Sequence, residues 1–306
     1  MTMTIDPPRP ATAPRPTRRA RRWPGRLVVV GLLLAGIVLT GRPVGATFVA
    51  DQRYDRAAGA VERATAAERP AVLRREIVAA RRFNRSLRPE ALRDPWTRRG
   101  AEGSAQHAAY LRRLAVRPAM GTLSIPAIGV HLPIEHDTTP ASLAGGVGHF
   151  FGTSLPVGGR GTHAVLAAHS GTSDGSLFDR LPELAPGDRF QLRVAGETLT
   201  YRVDRVRVVL PDELGLIGPV PGRDLVTLVT CTPRLVNTHR LLVRGVRVPT
   251  PRATPEHVAA GVDLSVQEWM VPRVALSGAG VLLLALMLLG WVLGDLRDRR
   301  RRGRVR

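Results

Sequence analysis

The chain has 306 residues and a mass of 33.1 kDa, which allows one or two domains. A single cysteine excludes an internal disulfide framework and a cysteine-cluster metal site, and 44% hydrophobic content excludes a disordered chain. The net charge is +20, from 45 basic residues, all arginine, against 25 acidic ones. Over half of that excess sits at the ends: residues 1–26 carry +6 and residues 295–306 carry +5. Both clusters abut apolar runs, whereas a nucleic-acid binder sets its basic residues on a folded face with aromatics between them. The charge therefore marks a membrane protein, with no nucleic-acid partner.

In chain order, residues 1–26 read as an arginine-rich cytoplasmic tail. Leu27–Gly41 is uncharged and resumes after Arg42 and Pro43 as Val44–Ala50. Residues 27–50 are thus a transmembrane signal anchor or a cleavable signal peptide. From Asp51 to Arg99 the chain is rich in Ala, Arg and Glu. Leu73, Ile77, Ala80 and Asn84 form an imperfect helical stripe, predicting one or two helices that end before Pro89 and again before Pro95. Gly100, Gly103 and Ser104 make a linker before a short Tyr110–Leu114 patch, so 51–119 is a helical extension outside the cell.

After Met120 the pattern changes to period-two alternation. Strands are predicted at Thr122–Ile125, Val130–Ile134, His163–Ala168, Leu225–Thr230 and Leu241–Val248. Leu192 and Val194 alternate into Leu199, Tyr201 and Val203 across an Ala195-Gly196-Glu197 turn, and a third strand is expected at Val206 and Val208. Short helical pieces are expected at Ser142–Val147 and Ser176–Leu181. Seven or eight short strands in residues 120–250 indicate a mainly β domain, an antiparallel barrel or sandwich. Residues 251–272 form a linker. Val274–Gly294 is uncharged and long enough to span a bilayer, giving a transmembrane helix over 273–294 and a second cytoplasmic tail over 295–306. Positive flanks at both ends predict cytoplasmic termini, with residues from about 51 to 270 outside.

The lone Cys231 ends the Leu225–Thr230 strand, and Arg240 opens the next strand after a short loop. A cysteine kept in an oxidising compartment points to thiol chemistry. His169 follows another strand. A thiol nucleophile needs a proton partner, which His supplies, and a donor for the developing oxyanion, which Arg supplies. His149, His163 and His239 read as structural residues. His107, His131, His136 and His257 show no trustworthy ligand spacing, so no metal or cofactor is expected.

The run Thr227-Leu-Val-Thr-Cys-Thr-Pro233, followed by Asn237-Thr-His-Arg-Leu-Leu-Val-Arg-Gly245, resembles the active-site signature of sortases, specifically the class C, pilin-assembling type. The resemblance extends upstream through Val147-Gly-His149, Gly152–Gly158, Thr162–Leu166, Ala168-His169, Leu177-Phe178, Gly187-Asp188 and Gly196–Leu199. It implies an eight-stranded sortase β-barrel with an N-terminal helical and lid extension and flanking transmembrane helices. Cys231 would be the nucleophile, His169 the general acid/base and Arg240 the oxyanion stabiliser, with Thr230 and Thr232 at the substrate. The implied reaction cleaves a Leu-Pro-X-Thr-Gly-type signal between Thr and Gly through a thioester. The implied partners are surface or pilin proteins bearing that signal, and a pilin lysine as acceptor. A cell-wall precursor amine, and an inactive membrane-tethered binding barrel, are the alternatives. Asp94-Pro95-Trp96 matches the class C lid motif, with Asp94 expected to face Arg240 and Trp96 to cover Cys231. Two departures stand out: Pro233-Arg234-Leu235 replaces an expected Pro-Tyr-Gly, and Ser170-Gly171 replaces a basic residue after the histidine.

Overall fold

The computed structural model describes residues 23–87, 103–115, 119–171, 175–213, 217–251 and 270–303. Two compact units arise, one of residues 45–267 and one formed by the two chain ends.

The first unit is a closed barrel of eight strands: β1 (Gly121–Ile125), β2 (Val130–His136), β3 (Val147–His149), β4 (Thr162–Ala167), β5 (Arg189–Val194), β6 (Glu197–Val209), β7 (Asp224–Thr232) and β8 (His239–Val248). Their order around the barrel is β1-β2-β3-β4-β7-β8-β6-β5. The expected all-antiparallel pairing is corrected: β2 with β3, and β4 with β7, run parallel. The third strand expected at Val206 is instead the far half of β6, whose register shifts between Val203 and Arg205. That bulge breaks the alternation that sequence reading relies on. The helix expected over Ser142–Val147 is α4 (Pro140–Gly145), capped by the Thr139 hydroxyl, and Val147 of the expected span belongs to β3. In place of a helix over Ser176–Leu181 there is a 3₁₀ turn at Leu181–Glu183.

Inward side chains of alternate strand positions fill the barrel, with Phe190 stacked on Tyr201 at 5.6 Å between ring centroids. Gly245 lies directly beneath that stack. A Cβ there would come within 2.6 Å of the Phe190 ring, so the ring fits only over a glycine.

Helix α1 (Trp23–Ala67) passes through Pro43 without breaking, and α2 (Pro70–Ser86) follows it. The polar half of α1 and all of α2 are fastened to the barrel by side chains. The Asn84 carboxamide exchanges both its hydrogen bonds with the Leu155 backbone. His131 on β2 bridges Asp55 and Glu62 of α1 at 2.8 and 3.2 Å. Glu62 also accepts from Thr122 of β1 and pairs with Arg193 of β5. Helix α3 (Ala105–Leu111), capped by Ser104, drives Tyr110 into a fully buried cage of His136, His149 and Phe151.

In the second unit, the apolar part of α1 lies along α5 (Val271–Gly303). Both are long and apolar enough to cross a membrane, and they expose leucines such as Leu32, Leu39, Leu282 and Leu286. Their contacts run antiparallel. The Thr40 and Ser277 hydroxyls hydrogen-bond at 2.7 Å, a Cβ on Gly280 would approach Ile37 to 2.9 Å, and Arg26 stacks 4.9 Å from the Trp291 ring. Small side chains permit that close approach and the hydroxyl pair satisfies itself.

Burial opposes a charged imidazole at His131, but hydrogen bonds and charges from Glu62 and Asp55 outweigh it and raise its pKa above the usual ~6.5. A base raised on folding stabilises the folded state below its unfolded pKa, and that contribution fades as pH rises through the folded value. His131→Gln should therefore lower the melting temperature more at pH ~6 than at pH ~8.5. An equal loss at both, measured by thermal unfolding of the full chain in detergent, would count against this grip.

Candidate functional site

The parallel register of β4 with β7 pairs Ala167 with Val229. Continued two residues beyond the end of β4, it sets His169 beside Cys231. Hydrogen bonds maintain the alignment past the strand: Ala168 N–H donates to the Val229 carbonyl, the Thr230 hydroxyl to the Ala168 carbonyl, and the Ser170 hydroxyl to the Cys231 carbonyl. On the other edge of β7, the antiparallel register pairs Cys231 directly with Arg240. Cys231 and Arg240 thus share one row on β7 and β8, and the register extended past the end of β4 brings His169 into line with them.

Strand alternation decides which face this row occupies. Ala164, Leu166, Ala168, Val226, Leu228, Leu241 and Val243 belong to the barrel core. Val165, Ala167, Val229 and Leu242 instead join Phe150, Val209 and Ile217 in a separate buried cluster on the outer face. The row continues the outer set, so an apolar floor leads up to Cys231. Cys231 and His169 are half-buried, while Arg240 is buried. Arg240 Nη1 donates to the carbonyls of Asn237 and His239, both at 3.0 Å, which fixes the plane of the guanidinium.

Thr230 and Thr232 fall on the inward-facing alternation. Thr230 is fully buried, and its hydroxyl donates to the Ala168 carbonyl, one residue before His169. Asp94, Pro95 and Trp96 lie outside the described residues. The elements on either side of residues 88–102 are both anchored, α2 through Asn84 and α3 through Tyr110.

Two other histidines have structural places. His149 is buried, and desolvation lowers its pKa to about 4, leaving it neutral. Its Nε2–H donates to the Ser154 carbonyl, and Nδ1 accepts from the Tyr110 hydroxyl. His163 lies on the outer face of β4. Burial also lowers its pKa, so Nδ1–H donates to the Gly218 carbonyl and Nε2 accepts from Thr227. That bond ties the connection between β6 and β7, which carries Ile217, onto the apolar floor. The sequence read both as structural residues but not their partners, which, Ser154 apart, lie far away in the chain. No cluster of three metal-ligating side chains occurs among the described residues.

The loop after Cys231 carries two residues with left-handed backbone, Leu235 (φ 68°) and Asn237 (φ 60°). Asn adopts that region readily, whereas Leu does so at a cost. Leu235 is also 70% exposed, so burial does not compensate it.

The sortase domain family matches residues 123–248. Sortase A of Bacillus anthracis is 31% identical over 134 residues, covering 44% of this chain and 62% of that relative; the chain thus spans somewhat under two thirds of it. Among solved structures, sortase C-1 from Actinomyces oris is 46% identical with a TM-score of 0.58, covering 59% of this chain and 99% of that one. A pilus-related sortase C of Group B Streptococcus is 43% identical with a TM-score of 0.57, covering 61% and 95%.

Leu235→Gly should leave stability unchanged or raise it by up to about 1 kcal/mol, since relief of left-handed strain exceeds the added chain entropy. A lower melting temperature than the parent's would contradict the strain at this position.

Proposed function

The chain belongs to the sortase family, and on that footing we propose that it is a membrane-anchored cysteine transpeptidase of the class C, pilin-assembling type. The observation that carries this reading is Cys231 paired with Arg240 on the outer face of β7 and β8, with the segment of His169 hydrogen-bonded alongside Cys231. In the proposed reaction the Cys231 thiolate attacks the Thr carbonyl of a Leu-Pro-X-Thr-Gly-type signal. Negative charge then builds on the carbonyl oxygen beside the fixed guanidinium of Arg240. His169 gives its proton to the departing glycine amine, and a thioester remains. An incoming amine, a lysine of the next pilin subunit, surrenders a proton to His169, attacks the thioester and frees the thiol.

The buried cluster of Val165, Ala167, Ile217, Val229 and Leu242 packs the outer face behind the row and supports its rigidity. Antiparallel contact between α1 and α5 supports a topology with both arginine-rich tails in the cytoplasm and residues from about 51 to 270 outside. Asp94-Pro95-Trp96 is proposed to lie as a lid over the thiol, on a segment whose two flanks are fastened to the barrel.

Intact mass of the full chain in detergent, mixed with a Leu-Pro-X-Thr-Gly peptide, should show an acyl adduct that disappears in Cys231→Ala. Arg240→Ala and His169→Ala should each slow acylation by about a hundredfold or more. An adduct that persists in Cys231→Ala, or binding of the peptide without any acylation, would sink the transpeptidase reading. Supplying a lysine peptide or a wall-precursor amine then shows which acceptor releases the adduct. Trp96→Ala should speed Cys231 alkylation, and an equal rate in mutant and parent would falsify the lid assignment.

A further inference from the structure

We propose that Asp179 and Arg234 form a positioning pair that holds the His169 segment against the Cys231 strand; the inference rests on the transpeptidase reading above. Asp179 lies in the connection after β4, and its side chain is 3% exposed. Its Oδ2 receives Arg234 Nε at 3.2 Å and Nη2 at 3.1 Å, and its Oδ1 accepts the Gly171 N–H. One buried carboxylate therefore grips both the loop that leaves Cys231 and the peptide two residues after His169.

Further contacts act at the same place. The Ser170 hydroxyl donates to the Cys231 carbonyl at 2.6 Å, and Phe178 N–H donates to the His169 carbonyl at 3.1 Å. Gly171 has φ 74°, and a Cβ there would stand 2.9 Å from Leu235 N and 3.0 Å from Arg234 Cγ. Any side chain at 171 would push the two loops apart. From the other side, Asp51 of α1 accepts from both the N–H and the hydroxyl of Ser176, each at 2.7 Å, fixing the turn that bears Asp179. The departures from the class C pattern, Ser170-Gly171 and Arg234, thus meet at one point.

Energetics favour a geometric purpose for this pair. Burial raises the Asp179 carboxyl above its usual range, although the Gly171 N–H and Arg234 both pull it down. Desolvation offsets most of the attraction in such pairs, so their net stabilisation is small while their geometry is demanding. The neutral isostere at 179 should fold, because the Arg234 side chain it leaves is 30% exposed and can be solvated.

The test uses the full chain in detergent and measures the alkylation rate of Cys231 by iodoacetamide from pH ~5 to ~9. This readout needs no sorting peptide. Asp179→Asn, Arg234→Gln and the double variant should each displace the rate profile in the direction of His169→Ala. The double should go no further than either single, and the melting temperatures of Asp179→Asn and the double, which strand no buried carboxylate, should stay within about 3 °C of the parent. Arg234→Lys, which keeps the charge, should recover at least half of the displacement. Profiles superimposable on the parent's would overturn the inference. So would effects that add in the double, a displacement that follows loss of melting temperature, or a His169→Ala profile unchanged from the parent's. With a Leu-Pro-X-Thr-Gly peptide, the singles should lower kcat about tenfold and leave KM unchanged. A change confined to KM makes Arg234 a substrate contact and also overturns it. If the parent forms no acyl adduct the proposed activity fails, and the alkylation profiles still decide the pair.

Discussion

Strand β7 hydrogen-bonds to β4 along one edge and to β8 along the other, and the candidate site takes its geometry from those two registers. A slip of one residue in either would send Cys231 to the opposite face from its neighbour, because side chains alternate with a period of two. The registers are secured by burial on both faces. Leu225–Thr230 is buried throughout, with Val226 and Leu228 in the barrel core and Val229 in the outer cluster. A slip would exchange both sets at once. The row His169–Cys231–Arg240 is thus specified by packing some distance from the thiol.

The helical extension is held differently. Beside the apolar contacts of Tyr54, Ile77, Ala80 and Phe83, it grips the barrel through polar side chains: Asn84 on the Leu155 backbone, Glu62 on Thr122 and Arg193, Asp51 on Ser176. Such contacts fix orientation more than they add stability, because each replaces hydrogen bonds to water. With Tyr110 caged on the far side, both flanks of residues 88–102 have defined positions on the barrel.

What could be read from the sequence follows the range of the interactions. Strands with clean alternation, such as Leu241–Val248, were legible because the pattern is local. β3 was not, since three residues carry no period and its pairing with β2 is parallel across an intervening helix. The bulge near Asp204 split β6 into two predicted strands. Pro43 read as a break, yet α1 continues through it. At the site, the nearness of Cys231 to Arg240 follows from a short connection between adjacent strands. The place of His169 needed the β4–β7 pairing, which no local signal contains. The Asp179–Arg234 link spans 55 residues and was invisible for the same reason, although Arg234 already stood out as a departure from the family pattern.

The outer apolar cluster explains why the site lies at the open end of a covered face. A strand pair buried on both faces needs a cover on its outer side, as parallel strands generally do. Here the cover is the β6–β7 connection, laid down through Ile217 and tied by His163 to Thr227 and Gly218. It shields Val165 and Val229, but Cys231 and His169 at the end of the same face stay half-exposed. The barrel's need to bury β4 and β7 thus leaves the thiol at the uncovered end of that face.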